Sequence, residues 1–135
     1  MLSDPVRVAD TRAWLHKVRV DLRGADVELN AEPPVVEHVV FHAQQAAEKA
    51  MKAFLTWHDR PFRRTHDLGE LGRACLVIDP SLLEVCRRAE ALTVFAWVFR
   101  YPGDTSGPSR EEAADALRVA REVFDAILAR LPAGM

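Results

Sequence analysis

An all-α fold, an up-and-down four-helix bundle with an additional short helix and five helices in all, is what this 135-residue chain predicts. Three observations predict it. Apolar residues recur at three- and four-residue steps along most of the sequence, the periodicity of a helix face, while the alternation of a half-buried strand is almost absent. Proline, glycine and capping residues fall between the periodic segments, at "NAEPPV", "HDRPF", "DP" and "RYPGDTSGPS". The connections so marked are mostly short, which favours antiparallel neighbours.

The first helix is expected over residues 8–29, where Leu15, Val18, Leu22, Ala25 and Leu29 stack on one stripe. "NAEPPV" stops it, because a residue before proline is pushed out of the α region and proline suits a first helical turn. The second helix then runs from Pro34 to Trp57. Asp67 as cap and Glu70 three residues later make a capping box for a short third helix ending near Val77.

Asp79 and Pro80 supply the cap and first-turn proline of the fourth helix, whose inward stripe is Leu82, Val85, Ala89, Leu92, Ala96 and Phe99. Pro102, Gly103, Gly107 and Pro108 end it. Ser109 and Glu112 form a further capping box, and the fifth helix turns Ala113, Leu117, Ala120, Phe124, Ile127 and Leu131 inward. Helices of about 20 residues span roughly 30 Å, so neighbours pack along their length, with the short third helix across one end. Residues 1–135 make a single domain with its core over about 8–131.

With 49% hydrophobic and 28% charged residues the chain fills one compact core and leaves no room for a separate catalytic domain. A formal net charge of −2 gives no whole-molecule drive towards nucleic acid or anionic membrane, so any attraction to phosphate must come from a local cluster. Cys75 and Cys86 lack the spacing of a zinc site and are expected to be buried thiols of a reducing cytosol. Neither a signal peptide nor an apolar run long enough to span a bilayer is present. A soluble, cytoplasmic protein without membrane contact is expected.

The second helix separates into two arcs when its residues are set at 100° steps. Val36, Val39, Val40, Ala43, Ala46, Ala47, Ala50, Met51 and Phe54 form a broad apolar arc able to touch two neighbours. Opposite lie His38, His42, Gln45, Glu48, Lys49 and Lys52. Spacing alone reads these as a solvated face on which Glu48 and Lys52 make an i,i+4 pair contributing a few tenths of a kcal/mol.

The string "FHAQQAAEKAMKAFL" at residues 41–55, "THDLGEL" at 65–71 and "FRYPGD" at 99–104 resemble the HEPN domain family of small prokaryotic helical proteins. Ala13, Trp14, Leu15, Asp21, Leu22 and Ala25 of the first helix fit the same pattern. The resemblance spans about residues 9–131 and implies a helical bundle, a homodimer and, in many members, pairing with a nucleotidyltransferase in a two-gene toxin–antitoxin module. Others of the family are ribonucleases. Matched by position, Gln45, Glu48, Lys49 and Lys52 correspond to the helix-two motif, joined by His66, Asp67, Arg100 and Tyr101.

The ribonuclease branch resembled here carries an arginine and, after four to six residues, a histidine near a late helix. No histidine follows His66, and the positions after Arg100 hold Thr105, Ser106 and Gly107, none of which replaces imidazole as a base at neutral pH. Arg60 and His66 have the spacing, but in the wrong connection. No catalytic residue is therefore assigned, and a metal-independent ribonuclease using Arg60 and His66 stands as the alternative to a non-enzymatic role.

His38 and His42 share a face in "HVVFH" but lack the glutamate of HExxH, so no metal ligand and no cofactor is expected. Candidate nucleotide or phosphate contacts are Gln45, Lys49, Lys52, Arg63, Arg64, His66 and Arg100, since basic side chains ahead of a helix N-terminus suit an anion, although Asp67 as cap opposes one there. A nucleotide or RNA is the matching ligand class. Phe95, Trp97, Phe99 and Tyr101 exceed what one inward stripe holds, which turns Trp97 towards a partner or a dimer interface. The expected function is thus a nucleotide- or phosphate-binding component of a two-gene module, with a non-catalytic homodimeric interaction module as a further alternative.

Overall fold

A computed structural model describes residues 4–99, 102–103 and 106–135 of the chain. Among them, five α-helices appear in order: α1 (Pro5–Leu29), α2 (Val36–Trp57), α3 (Leu68–Ile78), α4 (Leu83–Glu90) and α5 (Arg110–Leu128). Among the described residues there is no strand, and no helix is long and apolar enough to cross a membrane.

The caps explain most boundaries. Asp4 accepts the Val6 N–H at 2.9 Å and Pro5 opens α1, three residues earlier than the apolar stripe suggests. At α5 the Ser109–Glu112 capping box is complete, each side chain bonded to the other's backbone N–H. Asp67 caps α3 through the N–H groups of Gly69 and Glu70, but the expected box is only half formed. Glu70 turns outward to the Arg63 guanidinium instead, at 2.8 Å, where a charge-assisted partner outcompetes a backbone N–H. Asp67→Ala is expected to cost about 1 kcal/mol, read as a lowered thermal midpoint with an unchanged helix signal.

α2 is the central wall, packed by α1, α5, α3 and the segment after α4. Contacts between α1 and α2 step back along one helix as they step forward along the other: Glu28 with His38, Asp21 with Lys49, Arg7 over Trp57. That order is antiparallel. α5 likewise runs against α1, with Asp26 paired to Arg121 and Arg19 over the Phe124 ring. The apolar arc of α2 is buried from Val39 to Phe54 as its periodicity requires, and its alanines let the neighbouring backbones approach.

The fourth helix departs from expectation. A continuous helix through Phe99 is replaced by a 3₁₀ turn at Pro80–Leu82, the short α4, and a second 3₁₀ turn at Thr93–Ala96. In the segment after α4, the Thr93 hydroxyl accepts the Leu68 N–H at 3.1 Å and so serves the start of α3. Thr93 and Val94 are also β-branched, poor helix formers side by side. The inward stripe survives the break: Leu82, Leu92 and Ala96 are buried, and Phe95 stacks on Phe99 with centroids 6.3 Å apart. Three long helices and two short ones therefore make the bundle among the described residues.

Cys75 and Cys86 are buried free thiols, both pushed up by desolvation, Cys86 to about 11. Neither is poised as a nucleophile.

Candidate functional site

The polar arc of α2 is not a uniformly wet face. Glu48 is 3% exposed and Lys52 7%, so the i,i+4 pair that spacing assigned to solvent lies inside the protein. The connection between α2 and α3 accounts for the difference, because it folds back over the arc and brings Phe62 and His66 onto it. A helical wheel places residues relative to one another but contains no roof.

Glu48 is the hub. Its Oε1 accepts from Gln44 Nε2 at 3.0 Å and from His66 Nδ1 at 2.8 Å, while Oε2 takes the Lys52 ammonium at 2.9 Å. Gln44 also donates to the His66 carbonyl at 3.3 Å, fixing the connection twice. Lys52 Nζ lies 5.5 Å from the Trp14 ring and 5.7 Å from Phe62, and the two rings meet edge to face. The ammonium is thus enclosed by one carboxylate and two aromatic faces.

Burial alone would raise the Glu48 carboxyl, but hydrogen bonds from His66, Gln44 and Lys52 outweigh it and hold the group below its ordinary value. A carboxyl depressed in the fold binds fewer protons there than in the unfolded chain, so it contributes stability above its unfolded value near 4.5. That contribution is lost as pH falls through the folded value. Unfolding free energy measured against pH should accordingly fall on the acid side, and Glu48→Gln should flatten that limb.

A second cluster joins α1 to α2. Asp21, itself buried, receives Lys49 Nζ at 2.7 Å and His42 Nδ1 at 3.0 Å. Burial works against the Asp21 charge, yet the bonds from His42 and Lys49 win and hold the carboxyl low. Hydrogen bonding to Asp21 raises His42 in turn, burial opposing it and Glu28 assisting.

The fold brings together only part of the set singled out in the sequence. Lys52 and His66 converge on Glu48, with Gln45 beside them through Gln44 Oε1 at 2.7 Å. Lys49 belongs to Asp21, and Arg63 is paired outward with Glu70. Arg64 is exposed and makes no ion pair among the described residues. Arg100 and Tyr101 lie outside the described residues. No hydrogen bond joins Arg60 and His66 among the described residues; Arg60 lines an open groove of 650 Å³ with Arg7, Asp10 and Phe62. Most cations of the candidate set thus already face carboxylates, which leaves Arg64 and the outer edge of His66 for a ligand.

His66 is 58% exposed although its Nδ1 is held by a buried carboxylate. An ionised carboxylate only accepts, so Nδ1 carries the hydrogen and Nε2 is left to the surface as an oriented nitrogen. With its lone pair Nε2 can accept a proton, and once it carries that hydrogen it can donate to an anion. Gln44 was not among the expected residues, though its position signals it: it stands one helical turn before Glu48, about 40° away on the wheel, at the border of the apolar arc. Trp14 and Asp21 were legible only through the family pattern, and Phe62 not at all.

The family model for the HEPN domain matches residues 11–131. No curated protein matches the chain. Among solved structures, the crystal structure of TT1696 from Thermus thermophilus is similar, with a TM-score of 0.76 and 28% identity over 90% of this chain and 98% of that one.

Proposed function

The chain belongs to the HEPN domain family, and from that premise we propose that it is a nucleotide- or phosphate-binding component of a two-gene, toxin–antitoxin-type module whose other member is a nucleotidyltransferase. The observation that carries the reading is His66, exposed, oriented by Glu48 and two residues from Arg64, which makes no ion pair among the described residues. With both ring nitrogens protonated, the imidazolium keeps Nδ1–H on Glu48 and offers phosphate its Nε2–H beside the planar Arg64 guanidinium, a pairing that suits a dianion at a surface. Lys52 beneath is neutralised by Glu48 and adds no attraction; Glu48 holds the ring in place. Binding on this basis is weak and salt-sensitive.

Calorimetry with ATP at low ionic strength tests it. Heat is expected with wild type, reduced several-fold by Arg64→Ala and abolished by moderate salt. No heat with any nucleoside triphosphate at high protein concentration overturns the proposal.

One observation favours a second reading. A buried carboxylate behind an exposed imidazole is also how a general base is oriented, which supports a metal-independent ribonuclease acting through His66. RNA incubated with the protein and chelator decides: cleavage that disappears in His66→Ala selects the enzyme, and intact RNA selects the binding module. The proposed homodimer would use exposed Val94 and Trp97, and light scattering reads it as a mass twice 15.1 kDa.

A further inference from the structure

We propose that His42 is a pH-sensitive clasp: its doubly protonated ring bridges Asp21 and Glu28, ties the last turns of α1 to the first turns of α2, and releases that end of the hairpin as pH rises. The device is separate from the Glu48 locus and does not depend on the nucleotide reading.

Geometry carries the argument. His42 Nδ1 lies 3.0 Å from Asp21 Oδ1 and Nε2 lies 3.2 Å from Glu28 Oε1, so each ring nitrogen faces a carboxylate oxygen. An ionised carboxylate only accepts, and a neutral imidazole has a single N–H, which serves one of these oxygens and turns a lone pair on the other. The imidazolium serves both. Asp21 and Glu28 stand about two turns apart on α1 and bracket the ring. Gly24 lies between them with the ring against it, since a Cβ there would stand 3.5 Å from Nε2. The ring itself is 28% exposed, so its charge is screened less than that of a surface pair.

Charge balance points the same way. Asp21 and Glu28 of α1 are the charged groups in ion-pair contact with the ring, and behind them stand two residues of α2: Lys49 Nζ, 2.7 Å from Asp21 Oδ2, and His38 Nδ1, 2.6 Å from Glu28 Oε2. Among the described residues, α3, α4 and α5 bring no ion pair to any of these five. With His42 charged, two carboxylates meet two cations, His42 and Lys49. With it neutral, one tie between the helices is lost and a lone pair abuts a carboxylate, which is how loss of a single proton opens such a cluster.

The hydrogen bond to Asp21 keeps the ring protonated above its ordinary value of 6.5, desolvation opposing it and the Asp21 and Glu28 charges assisting. A basic group raised in the fold contributes stability that is fully present below its unfolded value and is lost as pH rises through the folded one. The clasp therefore acts on the high-pH side, opposite to the limb set by Glu48. It closes over the connection between α1 and α2, which a backbone bond from the Val35 N–H to the Glu28 carbonyl also ties, at 2.9 Å. Beside it His38 lines an open cavity of 340 Å³ with Glu37, Phe41 and Phe99, so release of Glu28 frees one wall of that cavity.

Nitrogen-resolved NMR of the histidine rings against pH tests the clasp, together with amide exchange over residues 24–35 expressed as protection factors. Both His42 nitrogens are expected to carry hydrogen at about pH 6.5, the ordinary histidine value. Protection over 24–35 should fall at least about three-fold as the ring deprotonates in wild type, stay level in His42→Gln, and not follow His42 in α3. Glu28→Gln keeps the ring in place and should lower its midpoint, a shift read in a folded chain whatever His42→Gln does to stability. A His42 ring with one hydrogen at that pH, a midpoint that Glu28→Gln leaves unchanged, or protection over 24–35 that ignores the His42 titration overturns the clasp.

Discussion

Glu48→Ala is expected to lower the unfolding free energy by about 3–5 kcal/mol, the scale of removing one partner from a buried ion pair. The loss is not that of the pair alone. Without Glu48 the Lys52 ammonium remains in the interior against two aromatic rings, and Gln44 and His66 lose their common acceptor. Urea unfolding reads the change as a lower midpoint at unchanged slope. Adding Lys52→Ala should recover part of the loss, because the stranded charge is gone, so the double variant falls short of the sum of the singles. A Glu48→Ala cost within about 0.5 kcal/mol, the range of surface substitutions, would return the arc to the solvated face that helical spacing suggests.

Phe54→Ala follows with about 3–5 kcal/mol, from lost transfer free energy and the cavity left behind. Phe54 is 1% exposed on the wall of α2 and meets the His58 ring edge to face at 4.6 Å. The same urea experiment measures it, with Trp97→Ala as the contrast: the exposed ring should cost within about 0.5 kcal/mol in the monomer. The two large effects fall on opposite sides of one helix. α2 is thus held by apolar packing on one face and by a closed polar network on the other, and the second also carries the candidate site.

Helix existence and facing were legible because burial on one stripe is a local property of a periodic sequence. The caps at Asp67, Asp79 and Ser109 could be read for the same reason, each acting within a few residues. What escaped was non-local. Beyond the end of α4 at Glu90, Thr93 serves Leu68, 25 residues away, and nothing within the window of a helical turn announces that. The burial of Lys52 depends on Trp14 and Phe62 arriving from two other segments.

The candidate site was half legible for a related reason. His66 with Glu48 and Lys52 could be grouped through a family pattern, and the structure brings them together. Charge type, by contrast, misleads without partners: Lys49 and Arg63 look like phosphate ligands in the sequence, yet Asp21 and Glu70 already face them. Local sequence gives a side chain's charge, and only the fold gives its neighbour.

The central claim is that Glu48 holds His66 at the surface as the contact for a phosphate-bearing ligand. Its most direct test is nitrogen-resolved NMR of the imidazole rings during titration with ATP at low ionic strength. The His66 Nε2 resonance should move with saturation while Nδ1 keeps its hydrogen towards Glu48, and the rings of His16 and His58 should stay still. A His66 ring that does not respond to ATP, or a response confined to the other histidines, would contradict it.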